Sequence, residues 1–158
     1  MTTLAMNYAS AATVTITLTS LANGSYRQSA VVDNTTNKYV DALIGGSIQV
    51  GTSPTNGNTI SVFVYGTFDG TLYTGGASGS DAAYTNAEEV LFRLVSVIPV
   101  TSTSNKDWIF GPVSVAQAFG GVLPSKWGVV VLNSTGATLN ATGTNNTIKF
   151  IGVKYDSA

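Results

Sequence analysis

Seven consecutive residues, Thr13-Val14-Thr15-Ile16-Thr17-Leu18-Thr19, alternate polar and apolar without a break, and all but Leu18 are β-branched. Successive side chains of an extended chain point to opposite faces. A period of two therefore puts Val14, Ile16 and Leu18 on a core and four threonines toward water. Branched side chains also suit a pleated, half-buried surface. This segment is expected to be a strand.

Further strands are expected at Lys38–Ile44, Ser47–Val50, Thr59–Phe68, Val90–Thr101, Trp108–Val113, Trp127–Asn133 and Thr147–Tyr155. Clusters rich in Gly, Asn, Asp and Ser separate them, as at Asn23-Gly24-Ser25, Asp33–Asn37, Gly51–Asn58 and Thr135–Asn146. Such residues favour turns, because Gly reaches positive φ and Asn, Asp and Ser bond their own backbone. Ser114 is placed to cap a short helix over Val115–Phe119, with Gly120 as its stop. Another helical turn is expected within Ala82–Glu89. The glycine-rich stretch Gly70–Asp81 reads as a surface loop. Together these define an all-β, antiparallel jelly roll or β-sandwich of about eight strands with one or two short helical turns. A single domain is expected over residues 1–158, a length that buries a sizeable core.

Two of the expected strands are apolar on both faces. Val90, Phe92, Leu94, Ile98 and Val100 oppose Leu91, Arg93, Val95 and Val97; Ile60, Val62 and Val64 oppose Phe63 and Tyr65. A strand with one wet face should alternate cleanly. Two coverings are open: another part of the same chain, or a second subunit. Interface cores are depleted of charge, and so is this chain.

It holds 7 Lys+Arg, 8 Asp+Glu, no His and no Cys, 9% charged in all. About 25% is usual for a soluble domain. The missing His and Cys remove Ser-His-Asp and Cys-His catalysis and ordinary zinc sites. Glu88-Glu89 reads as a solvated strand entry rather than a glycosidase pair. Asp69 and Asp81 lack a calcium-loop spacing and read as turn formers. The Gly75–Ser80 run lacks the Gly-Lys-Ser/Thr ending of a phosphate loop. No catalytic residue, cofactor or metal is expected. A net charge of −1 offers no footprint for nucleic acid or an anionic membrane. No apolar run approaches the ~20 residues of a membrane helix, and Met1–Asn7 lacks the basic and apolar regions of a secretory signal. The five Asn-x-Ser/Thr triplets follow from a composition rich in Asn and Thr.

The C-terminal third carries a recognisable set of segments. They are Phe119-Gly120-Gly121-Val122-Leu123-Pro124, then Lys126-Trp127-Gly128, with Asp107–Ser114 before and Ile148–Val153 after. With Asp81-Ala82-Ala83-Tyr84-Thr85, the set resembles small structural proteins of tailed-bacteriophage virions, over roughly residues 80–158. The resemblance implies a non-enzymatic virion component, in particular a jelly-roll decoration or cement protein. Such proteins bind and stabilise the major capsid protein shell from the capsid exterior, as homotrimers at local threefold positions. That places the chain in the virion, and in the host cytoplasm during assembly. A tail or neck location fits the same residues.

The residues expected at a subunit or shell interface are Leu91, Val95 and Val97 on the two-faced strand, with Phe119, Val122, Leu123 and Trp127 in the segment between strands. A terminal strand, Leu4–Ala12 or Ile148–Tyr155, offers backbone groups for addition to a neighbouring sheet. The alternative is a carbohydrate-binding β-sandwich module of a phage adhesin or tail component. It would require Trp108, Trp127 or tyrosine rings exposed in a groove.

Overall fold

The computed structural model describes residues 3–86 and 88–157. In chain order the strands are β1 (Leu4–Tyr8), β2 (Ala12–Thr13), β3 (Ser25–Gln28), β4 (Val32–Asp33), β5 (Asp41–Gln49), β6 (Thr59–Gly66), β7 (Ala82–Tyr84), β8 (Arg93–Pro99), β9 (Asp107–Ser114), β10 (Lys126–Ser134) and β11 (Thr147–Ser157). One helix, α1 (Val115–Ala118), follows β9 directly. No helix among the described residues is long and apolar enough to cross a membrane.

All pairings are antiparallel and form two sheets. The first runs β1-β11-β5-β9, with β2 also on β11; the second runs β7-β3-β10-β6-β8, with β4 also on β10. The expected antiparallel sandwich is the observed fold. Its central core interleaves Ala42, Ile44, Ile48, Phe110, Ile148 and Phe150 from the first sheet with Ile60, Val62, Val64, Trp127, Val129 and Val131 from the second. Burial of apolar side chains, at about 25 cal/mol per Å², is the main force holding the sheets together.

Thr13–Thr19 behaves differently from its expectation. The burial alternation is there: Val14 and Leu18 are buried, Ile16 is half-buried and the threonines are exposed. Beyond Thr13, however, the segment joins no ladder. It crosses the open side of the sandwich, with Val14 N–H bonded to Ile148 O of the first sheet and Thr15 O accepting from Ala30 N–H beside the second. Thr17 is held by Asp81, its N–H at 3.0 Å and its hydroxyl at 2.6 Å from the carboxylate. Period two reports an extended chain over a core, and a strap satisfies it as well as a strand.

The two segments expected at Lys38–Ile44 and Ser47–Val50 are one strand, β5, running through Gly45-Gly46. The glycine pair is no turn there. It marks a register shift against β9, and a Cβ on Gly46 would collide with the Thr147 carbonyl of β11. The helical turn expected within Ala82–Glu89 is replaced by β7, which pairs with β3 through Tyr84↔Tyr26 and Ala82↔Gln28; the turn comes later, as a 3-10 turn at Glu89–Leu91. Ser114 does cap α1, its hydroxyl accepting from Gln117 N–H at 3.0 Å, and Gly120 follows. Of the two terminal strands, β11 is interior, flanked by β1 and β5, whereas β1 is a sheet edge.

The two-faced character of Thr59–Phe68 has an intramolecular cause. Ile60, Val62 and Val64 face the central core, while Tyr65 and Phe63 face outward under the segment formed by residues 67–86 and 88–92. That segment includes the stretch expected as a surface loop. It lays Tyr73, Ala77 and Phe92 over Tyr65, Phe63 and Val130, with the paired Tyr26 and Tyr84 of β3 and β7 beside them, as a second core. Rings meet in tilted and edge-on contacts, Tyr84–Phe92 at 4.7 Å and Tyr65–Tyr73 at 5.7 Å between centroids, geometries that favour the aromatic quadrupoles. The Tyr65 hydroxyl donates to Ser29 O at 2.7 Å, and burial pushes its pKa up to about 12.

Candidate interaction surface

Where the covering segment meets the α1–β10 connection, the chain leaves a groove of about 600 Å³. Three pieces of backbone build it. After β6, Asp69 folds the chain back: its carboxylate accepts from Thr71 N–H and Leu72 N–H, both at 2.8 Å, and from the Thr67 hydroxyl. Bonds from the Leu72 and Thr71 amides hold the Asp69 carboxyl at a pKa of about 2. The tight turn turns Phe68 and Leu72 outward, Phe68 90% exposed. The 3-10 turn Glu89–Leu91 presents Val90, 83% exposed, and Leu91. The connection after α1 brings Phe119, Val122 and Pro124, with Val122 73% exposed.

The floor of this groove depends on Gly66. Phe119 and Pro124 lie directly over it, and a Cβ there would come within 2.8 Å of the Pro124 ring and 3.1 Å of the Phe119 ring. Any larger residue would push this wall outward. Glu88 and Arg93, of opposite charge, stand at the margin. Phe68, Leu72, Val90, Leu91 and Val122 thus form a contiguous exposed apolar cluster. Scattered surface apolar residues are ordinary, but a cluster around a concavity marks a place where another molecule binds.

The seven residues expected at an interface fall into three groups. Leu91 and Val122 belong to this cluster, and Phe119 is the half-buried wall beside them. Val97 is exposed and Val95 half-buried on β8, the edge of the second sheet, where a register shift between Val62 and Phe63 alters the facing of the strand. Leu123 and Trp127 lie in the central core, Trp127 only 1% exposed and edge-on to Phe150 at 5.4 Å. They present almost nothing to a partner. Phe68, Leu72 and Val90 were not among the expected interface residues. Phe68 and Leu72 flank a turn whose direction Asp69 sets, and alternation carries no signal for that.

Other chemistry is sparse. Among the described residues no three His, Cys, Asp or Glu side chains cluster as a metal would require. Asp81 is committed to Thr17 and to Arg27, whose Nε lies 2.7 Å away. Burial alone would raise its pKa, but the bonds from Arg27 and Thr17 and the guanidinium charge lower it below the usual range. Trp127 offers no ring to a sugar. Trp108 is half-buried, with Lys106 Nζ 4.2 Å from its ring centroid and its indole N–H buried without a partner. Comparison with protein-family models, curated proteins and solved structures finds no match to this chain.

Proposed function

We propose that this chain is a non-enzymatic structural protein of a tailed-phage virion, a decoration or cement protein that binds the major capsid protein on the capsid exterior as a homotrimer. The observation that carries the reading is the exposed apolar cluster of Phe68, Leu72, Val90, Leu91 and Val122 around one groove. Such a surface gains free energy when another protein covers it. In a chain with so few charges, contacts of this kind form with little desolvation of ions, which is costly. A particle presents each contact many times, so a modest affinity per site becomes firm attachment when several subunits are engaged together. The resemblance of residues 80–158 to phage structural proteins directs the partner toward a capsid shell. A chain without His or Cys also suits a role in which no bond is made or broken.

The test is molar mass by light scattering, followed by co-sedimentation with undecorated capsids. The expected result is a trimer that binds, and a Val90→Asp/Val122→Asp double variant that folds but no longer co-sediments. A strict monomer that ignores capsids would overturn the reading.

A further inference from the structure

Among the described residues the two sheet orders end on four strands, besides the two-residue edges β2 and β4, and the four differ in how they are guarded. An unguarded edge invites pairing with another chain; natural edges are blunted by charge, proline, bulges or shortness. β7 has three residues. β8 carries Arg93, Pro99 and a register shift. β9 carries Asp107, Pro112 and a register shift. β1, Leu4-Ala5-Met6-Asn7-Tyr8, carries no charge and no proline, and its register against β11 is unbroken over all five residues. Among the described residues no strand occupies its other side.

The hydrogen-bond phase of β1 is fixed by its neighbour. Ala9 N–H donates to Gly152 O. In an antiparallel ladder, residues alternate in the side to which their N–H and C=O point. Ala5 and Asn7 therefore bond toward β11, and Leu4, Met6 and Tyr8 direct their backbone groups to the open edge. The same three residues are the large apolar ones, all more than half exposed, and Met6 lies opposite Tyr155, also exposed.

We infer that β1 pairs with β1 of a second copy of this chain, antiparallel about a twofold axis at Met6. The sequence is self-complementary in that register. Leu4 faces Tyr8 of the copy and Met6 faces Met6, so every outward N–H and C=O finds a partner. On one face a row forms across four strands, Tyr155–Met6–Met6–Tyr155, with Leu4 against Tyr8 on either side. No charge is brought against a like charge. Identical strands meeting in this way close on themselves, since a twofold contact uses one patch twice. The pairing uses none of the groove residues. It links copies two by two, so where it adds to the trimer the mass rises to a larger multiple of three chains; it stands or falls apart from the capsid proposal, which groove variants and co-sedimentation read.

A chain without cysteine makes the register directly testable by single-cysteine cross-linking. Opposed residues of a bonded pair have Cα atoms ~5.5 Å apart, within disulfide reach. Leu4 and its copy are four residues out of step, about 14 Å apart. Under mild oxidation with copper phenanthroline, Met6→Cys is expected to form covalent dimer at least tenfold faster than Leu4→Cys and than an exposed control, Ile109→Cys. An equimolar mixture of Leu4→Cys and Tyr8→Cys is expected to link while either alone does not. Hydrogen exchange at the amides of Leu4, Met6 and Tyr8 is expected to slow as protein concentration rises. Equal cross-linking of Met6→Cys and the controls, or exchange independent of concentration, would overturn the pairing. Occupation of the edge by a different partner would give that second outcome.

Discussion

Asn133 shows how a chain with few ions fixes its interior. It is fully buried on β10. Its amide donates to Leu21 O and Ala137 O, each at 2.8 Å, and its carbonyl accepts from Thr135 N–H and the Thr135 hydroxyl. One side chain thereby ties Leu21, just past the strap Thr13–Thr19, to β10 and the turn after it. Removing it would strand buried carbonyls, at about 1–3 kcal/mol each. Asn133→Ala is expected to cost about 3 kcal/mol, read as a lower urea midpoint with an unchanged slope. Asp81 does similar work at the surface, and its dependence on pH has a definite sign. Its folded pKa lies below the unfolded value of 3.8, so its contribution is present above that value and is lost as pH falls through the lower folded one. Thermal unfolding of Asp81→Asn against the parent chain should therefore show a deficit at neutral pH that shrinks as the solution is acidified below 3.8. A deficit constant from pH 7 to pH 2 would dismiss the ion-paired role.

At the scale of elements, the covering segment 67–92 decides which surface the second sheet shows. It is pinned at its middle by Gln28, whose amide donates to the Ser78 hydroxyl while its carbonyl accepts from Ser78 N–H, and at its end by Phe92, buried among Tyr65, Tyr84 and Phe63. Phe92→Ala is expected to destabilise by about 3–5 kcal/mol, the range for a buried aromatic truncated in a packed site. Hydrogen exchange should rise in residues 67–92 before the central strands, because the cover can detach while the inner core stays closed. This element was hard to read in the sequence for a physical reason. Gly75, Gly76 and Gly79 resemble a free loop, and only the rings on either side and the bare outer face of Tyr65 and Phe63 show that something must lie there. β3 was equally hidden, since Ser25-Tyr26-Arg27-Gln28 has one apolar residue and half of its ladder is with β7. The long strands β6, β10 and β11 were legible because each buries a face over most of its length, and β9 because Trp108, Phe110 and Val113 stand in an apolar run, although only Phe110 is buried. On β8 the register shift between Val62 and Phe63 of β6 breaks the alternation around Val95 and Val97, and Leu91 lies before β8 in the 3-10 turn, so three residues that share one face by simple alternation differ in what they present.

Across the whole molecule the two sheets are finished unequally. The second sheet has its outer face covered by the chain's own residues 67–86 and 88–92, and the apolar cluster at the groove is what that cover leaves exposed. The first sheet has no such cover among the described residues, and its outside carries Leu4, Met6, Tyr8, Ile109 and Tyr155 in the open. Both exposed surfaces are apolar and almost free of charge, and the net charge is only −1. Association through either should then be driven by removal of apolar area from water, with little Coulombic share. Ion pairs between exposed groups are screened within ~3 Å at about 1 M salt, so a charge-driven assembly would loosen as salt rises. Sulfate, by contrast, is excluded from protein surface and strengthens burial. Sedimentation velocity of the full chain is therefore expected to show a self-association constant unchanged between about 0.05 and 1 M sodium chloride, and one that increases in sodium sulfate. The heat-capacity change of association should be negative, as apolar burial requires. Dissociation in sodium chloride would instead assign the contact to the few ions, with Arg93 and Glu88 beside the groove and Lys154 and Asp156 beside β1 the groups to neutralise first.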